Sequence, residues 1–184
     1  MLKLSLLQTT LLAASLLSFT AAQAATMAKA DYKASKSTIA ATYKTDKQAC
    51  AALAANAKDI CMEEAKGKDK VALAELEYGY TGKAGDRNKI LVVKADTTYA
   101  TAKERCDDLS GNPKSVCVQE AKAVQTKALA DAKLGKEVGA AQKDATADKR
   151  AADLKVALEK CDALAGAAKT ACVDSAKASF GTKT

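Results

Sequence analysis

Bulky apolar residues are sparse along this chain and recur at helical spacing. In three places such a residue is followed seven positions later by a cysteine and three positions after that by a leucine: Tyr43, Cys50 and Leu53; Tyr99, Cys106 and Leu109; Leu154, Cys161 and Leu164. Steps of seven and three keep side chains on one face of an α-helix. Alanine and lysine, both strong helix formers, fill most of the intervening positions. The pattern therefore predicts amphipathic helices with narrow apolar faces.

Three cysteine pairs mark three copies of one unit. The cysteines of each pair are eleven positions apart, and the first cysteines of successive pairs are 56 and 55 positions apart. The copies read TYKTDKQACAALAANAKDICMEEAK, TYATAKERCDDLSGNPKSVCVQEAK and DLKVALEKCDALAGAAKTACVDSAK. They share C-x-x-L-x-[AG]-[NA]-x-K-x-x-C, followed two residues later by [ES]-A-K. Such a match indicates a duplicated supersecondary unit.

Each unit is predicted to be a helical hairpin whose turn lies between its two cysteines. In copy two, Gly111 suits the left-handed conformation after a helix end, Asn112 can cap the next helix and Pro113 fits the first turn of that helix. Copy three keeps Gly166 at the equivalent position. Copy one has Ala55 there, which would be strained by about 1 kcal/mol in a left-handed conformation. Hairpin two is therefore expected to form most readily.

The hairpins position the cysteines for three local disulfides. Cys106 lies five positions before Gly111 and Cys117 five positions after Asn112, so the two are symmetric about the turn and face each other across an antiparallel hairpin. Their Cα atoms can then come within the roughly 4.4–6.8 Å that a disulfide requires. The repeat selects one set of pairs: Cys50–Cys61, Cys106–Cys117 and Cys161–Cys172. Closing each loop is worth about 3 kcal/mol on the chain-entropy estimate.

The predicted fold is all-α, with about six helices paired as three repeated, disulfide-stapled hairpins. Glycines interrupt the segments 79–89 and 134–149 between the copies. The predicted helices span about 27–54, 58–78, 87–110, 113–134, 142–165 and 168–180. The repeats span about 27–81, 86–136 and 142–184. A compact bundle and an elongated array both fit this pattern, and helices shared between neighbouring hairpins would favour the array.

The first 24 residues have the features of a secretory signal peptide. Lys3 supplies a short basic region, the stretch from Leu4 to Leu17 is mostly apolar, and Ala22-Gln23-Ala24 is a small-x-small cleavage site. The apolar run is shorter than the ~20 residues that a membrane span needs. We therefore expect export, cleavage after residue 24, and a mature chain of residues 25–184 that forms a single all-α domain without a membrane span.

Composition predicts a thin core that needs covalent support. Hydrophobic residues make up 48% of the chain, but nearly half of them are alanine, and aromatic residues contribute only 4%. A helical chain with so few large apolar side chains buries little surface. Six cysteines in an exported chain are the obvious reinforcement, because small exported domains are commonly stabilised by disulfides.

The residue types argue against catalysis. The chain has no histidine, no C-x-x-C motif and no glycine-rich phosphate loop, which removes the usual general base, a thioredoxin-like site and a nucleotide cradle. We expect no enzyme activity and no cofactor. Two alternatives stay open: the cysteine pairs, with Met62 beside Cys61, could bind a soft metal or respond to redox stress as thiols, and the net charge of +7 could attract an anionic polymer such as lipopolysaccharide or nucleic acid.

The repeat also carries a resemblance. As it stands in copy two, C-x-x-L-x-G-N-x-K-x-x-C-V-x-E-A-K resembles a group of exported, Ala/Lys-rich proteobacterial proteins with repeated Cys-x10-Cys helical hairpins, often described as cell-envelope or TolA-like proteins. The resemblance covers essentially the whole predicted mature chain. It implies the periplasm of a Gram-negative cell and no established activity. The single-pass anchor expected of TolA is not found here.

These observations favour a non-catalytic periplasmic helical repeat protein with a structural, scaffolding or envelope-associated binding role. Its partner is expected to be an envelope protein or an anionic envelope polymer, which the sequence does not specify further. Release beyond the outer membrane is an alternative location.

Overall fold

The computed structural model describes residues 27–181, and the predicted signal peptide lies outside this range. Five α-helices follow one another: α1 Lys29–Cys50, α2 Ala55–Thr81, α3 Ala84–Cys106, α4 Gly111–Cys161 and α5 Gly166–Phe180. All regular secondary structure in the described residues is α-helical. The predicted all-α fold with disulfide-stapled hairpins is therefore confirmed.

The helices form an elongated antiparallel zigzag. Within residues 27–181, each helix packs against the helices that precede and follow it in the chain and against no others. A compact bundle would bring non-consecutive helices together around one core. Contact between consecutive elements alone is the arrangement of a solenoid-like array, so of the two predicted forms the structure has the array.

Helix α4 is the main departure from the predicted elements. Gly135 and Gly139 led us to expect a break over 134–149, but α4 continues through both for 51 residues, so the described chain has five helices instead of six. A glycine inside a helix costs only about 1 kcal/mol relative to alanine, and the neighbouring Lys, Glu, Leu and Ala residues favour the helix. Hairpins two and three consequently share one helix, and the predicted repeat boundary at 136–142 lies inside it.

The link between α2 and α3 is shorter than the predicted segment 79–89. It consists of Gly82 and Lys83 alone, and Gly79 and Gly85 lie inside the flanking helices. Gly82 has φ +63° and donates its backbone N–H to the carbonyl oxygen of Tyr78. A left-handed glycine after the last helical residue is a common way to end a helix, and this two-residue link is enough to reverse the chain.

The core is thin and lined by small side chains. The fully or almost fully buried apolar residues are Cys50, Ala65, Ala74, Leu76, Ala95, Cys106, Ala132, Cys161 and Ala176. Small residues let helix backbones approach: a Cβ placed on buried Gly67 of α2 would lie 3.2 Å from the Cβ of Thr97 of α3. This confirms the expectation of an alanine-lined core that buries little surface per helix.

Aromatic side chains supplement this core at the edges of the first hairpins. Tyr43 and Tyr99, which were expected on the inner face, are half-buried. Tyr32 of α1 stacks on Tyr80 of α2 with ring centroids 4.6 Å apart. Its hydroxyl donates a hydrogen bond of 2.8 Å to Oε2 of Glu77. These contacts join the beginning of α1 to the end of α2, far from the disulfide of that hairpin.

Candidate functional site

The three disulfides sit at equivalent places beside the three turns. Each joins the last residue of one helix to the seventh residue of the next, with Cα atoms 5.5, 5.7 and 5.7 Å apart. The pairs are those that the repeat predicted: Cys50–Cys61, Cys106–Cys117 and Cys161–Cys172. The first cysteine of each pair is almost completely buried, with at most 1% of its surface exposed.

The two cysteines of each hairpin were predicted to be symmetric about the turn, and this is wrong in detail. The first cysteine is the last residue of its helix, whereas the second is the seventh residue of the next helix. The leucines three residues after the first cysteine therefore lie in the turns, and not on the predicted helix face. Leu53, Leu109 and Leu164 each donate their backbone N–H to the carbonyl oxygen of the preceding cysteine, at 3.0–3.1 Å. Their side chains are 43–44% exposed, so the repeated leucine marks the turn more than the core.

A left-handed residue begins the second helix of every hairpin. Gly111 has φ +60° and Gly166 has φ +57°, and the equivalent Ala55 has φ +49°. The left-handed conformation predicted for these positions is confirmed, although it lies at the helix start. Asn112 is accordingly the second residue of α4, while Ser110 occupies the N-cap position without a side-chain capping bond, so the predicted capping role of Asn112 is wrong.

Exchanging glycine and alanine should raise or lower the stability of the protein according to whether the backbone at that position is left-handed or helical. We expect Ala55→Gly to stabilise the protein by about 1 kcal/mol, because it relieves a left-handed alanine. Gly111→Ala should destabilise it by a similar amount. Gly139→Ala is the matched control: Gly139 is a helical residue without a positive φ and with open space around it, so alanine there should stabilise by about 1 kcal/mol. Chemical denaturation of the four proteins measures all three differences.

An ion pair that the sequence analysis missed crosses two of the three turns. Lys114 contacts Oδ1 of Asp107 at 2.8 Å, and Lys169 contacts Oδ1 of Asp162 at 2.9 Å. These lysines occupy the lysine position that the three repeats share, so the ion pair gives that position a structural role. In copy one the equivalent lysine is Lys58, but Ala51 replaces the aspartate. The sequence signal for this ion pair is the aspartate that directly follows the first cysteine in copies two and three.

This ion pair makes the second turn sensitive to acid. The hydrogen bond from Lys114 holds the pKa of Asp107 below its ordinary value, with a smaller effect of the positive charges of Lys114 and Lys103. A lowered pKa in the folded state stabilises the protein above the unfolded value of about 3.9, and this contribution is lost as the pH falls through the folded pKa. We expect acidification below about pH 4 to lower the amide protection factors, taken relative to the intrinsic exchange rate at each pH, more at turn two than at turn one. Asp107→Asn should remove this difference.

Helix α4 has a long stretch that contributes no buried residue. Every residue from Lys133 to Asp153 is exposed, between buried Ala132, which packs against α3, and half-buried Leu154 near α5. At 1.5 Å per residue, this stretch is roughly 30 Å long, and it connects the first two hairpins to the third. The exposed segment, residues 133–153, thus joins two packed regions, and Phe180 of α5 lines a groove with its residues Gln142, Thr146 and Arg150.

The described residues hold no concentrated group of catalytic or metal-binding side chains. All six cysteines are in disulfides, so Cys61 offers no thiolate beside Met62, and no group of three or more Cys, Asp or Glu side chains converges on a possible metal position within residues 27–181. An open groove of about 540 Å³ lies between α2 and α3. Two ion pairs occupy its rim, Lys94–Glu75 and Arg105–Glu64, each at 2.7 Å.

Among the described helices, none has the length and apolarity needed to cross a bilayer. The chain shows no significant match to a protein-family model, to a curated protein or to a solved structure. Three disulfides in a chain of this kind are typical of an oxidising, extracytoplasmic compartment.

Proposed function

We propose that this chain is a non-catalytic helical repeat protein of the periplasm with a structural or scaffolding role in the cell envelope. The exposed segment of α4 is the observation that carries the proposal. A helix without a buried residue over 133–153 contributes length to the molecule and little to a core. Such a segment suits a spacer that holds two binding regions at a fixed separation.

The arrangement of charge supports a scaffold more than a site for one polyanion. Lysines alternate with acidic residues along the helices, and three lysines and one arginine are paired with carboxylates across neighbouring helices or turns. Exposed pairs of this kind contribute little stability and leave a mixed surface of both signs. The disulfides likewise favour the scaffold over the thiol-based metal or redox-stress binder, because each thiol is already consumed in a local bond.

The scaffold can be tested by photo-cross-linking from its two ends in native cells. A photoreactive residue is placed at exposed Lys70 of α2 or at exposed Lys177 of α5. We expect the two positions to capture different envelope components, and a protein that carries both to capture the two components in one complex. Capture of nothing from either end would contradict the scaffold.

A shortened helix is the matched control. Deleting residues 134–151 removes 18 residues, or about five whole turns, and leaves the phase of α4 unchanged. Single capture from each end should persist, while the doubly captured complex should be lost because the two ends are roughly 27 Å closer. Unchanged double capture would mean that the separation has no role.

Two simpler measurements separate the alternatives. Protein purified from the periplasmic fraction should contain no free thiol, whereas a thiol-based binder would carry reduced cysteines. On an immobilised polyanion, the scaffold should elute at low salt. Retention to high salt would instead indicate an anion-binding protein, because phosphate-directed binding depends steeply on ionic strength.

A further inference from the structure

Helix α4 carries an apolar stripe on the side that faces away from its neighbours. Its exposed large apolar residues are Val116, Val124, Leu134, Val138 and Val156, each 46–59% exposed. At 3.6 residues per turn these positions fall within about a quarter of the helix circumference. Buried Gln125, Ala132 and Cys161, which mark the side toward α3 and α5, lie on the opposite side. Val124 lines a groove with α3, whereas the stripe from Leu134 to Val156 is uncovered.

We propose that two copies of this chain associate through this stripe as an antiparallel pair of α4 helices, crossing at Ala145. The apolar positions are symmetric about that residue. Leu134 and Val156 lie eleven positions before and after it, and Val138 and Ala152 lie seven before and after it. A two-fold axis at Ala145 thus places Leu134 of each copy opposite Val156 of the other, as a self-complementary interface requires.

The charges beside the stripe match in the same register. Glu137 and Lys155 lie on one edge, eight positions before and ten after Ala145, and both are exposed. Asp131 and Lys160, also exposed, lie on the other edge, fourteen before and fifteen after. In the antiparallel pair each acid therefore meets the partner's base, as flanking charges do in coiled coils.

The size of the contact predicts a weak, reversible dimer. The register overlaps residues 129–161 of both copies, a length of about 50 Å at 1.5 Å per residue. A helix face about 10 Å wide then covers roughly 500 Å² per copy, less than the ~800 Å² of a standard stable interface. Asp144 and Asp148 also approach their counterparts near the axis, which weakens the pair further. A monomeric spacer would still satisfy the proposed function, so the two proposals fail independently.

Sedimentation equilibrium of the oxidised chain tests whether two copies associate through this stripe. We expect a monomer–dimer equilibrium, and Val138→Lys should weaken it at least tenfold. Val116→Lys is the matched control, because Val116 is 46% exposed against 47% for Val138 and lies on the same stripe, but its symmetric position falls beyond the end of α4. This substitution should leave the equilibrium unchanged. A chain that remains monomeric at millimolar concentration, or equal effects of the two substitutions, would overturn the proposal.

Charge exchange tests the register itself. Glu137→Lys should weaken the dimer, since it places two lysines together, and Lys155→Glu should weaken it likewise. The protein with both substitutions should regain the original affinity, and Asp148→Asn should tighten the dimer by removing like charge near the axis. If the double variant is weaker than either single one, the antiparallel register is wrong. Circular dichroism of each variant verifies that α4 is intact.

Discussion

Reduction of the three disulfides is expected to lower the melting temperature by roughly 20 °C or more. Each closed loop contributes about 3 kcal/mol by constraining the unfolded chain. For a chain of this size, 1 kcal/mol corresponds to about 2–4 °C in melting temperature. The helices bury mostly alanine and cysteine, so little apolar surface compensates for the loss. Thermal melts with and without reductant, followed by circular dichroism, measure the difference.

The same melts separate local from global stabilisation. Removing one disulfide, as in Cys106→Ser with Cys117→Ser, should destabilise hairpin two and spare hairpin three, because neighbouring units in an array interact only at their interfaces. Helical signal should decrease less than tertiary order on reduction, since alanine-rich helices persist partly without packing. If the reduced and oxidised proteins melt together, the thin core is sufficient and the disulfides are unnecessary for folding.

Ala140→Pro is expected to bend α4 while both packed regions stay folded. Proline inside a helix removes a backbone hydrogen bond and clashes with the preceding turn, at a cost of about 3 kcal/mol. Ala140 is exposed, lies in the segment without buried residues and does not line the groove beside Phe180, so we expect this cost to remain local to α4. Hydrogen exchange should accelerate around residue 140 alone, and small-angle scattering should show a shorter molecule.

Ala128→Pro is the informative control for that substitution. Ala128 lies on the same helix but is half-buried where α4 packs against α3. Proline there should disrupt the interface of α3 and α4 and lower the melting temperature of hairpin two. If Ala140→Pro destabilises the hairpins as strongly as Ala128→Pro, the exposed segment is coupled to the packed regions and is not an independent spacer.

The repeat in the sequence was sufficient to predict the hairpins and the disulfide pairs. Cysteine spacing and turn residues are local signals, and the left-handed conformation at Gly111 and Gly166 followed from them. The exact turn geometry did not follow. Leu53 was placed on a helix face because its spacing from Tyr43 and Cys50 is helical, yet α1 ends at Cys50. Spacing alone does not show where a helix stops.

The sequence also did not predict that α4 is one continuous helix. Two glycines four residues apart resemble a linker. The chain does not reverse there, however, so the surrounding helix-forming residues keep α4 continuous through both glycines. The candidate interaction surface was missed for the same reason. If residues 134–149 form a linker, Leu134 and Val138 do not share a helix face with Val156. The exposed stripe can be recognised only when all three residues belong to one continuous helix.

Small-angle X-ray scattering of the oxidised chain, extrapolated to zero concentration, tests the elongated array most directly. Helix α4 alone has 51 residues and is therefore about 76 Å long, so we predict a maximum dimension of at least that length. A compact domain of about 160 residues would have a radius of gyration near 15 Å. The array predicts a value well above this, with the elongated distance distribution of a rod. A globular distance distribution with a radius of gyration near 15 Å would contradict the array and the spacer function that rests on it.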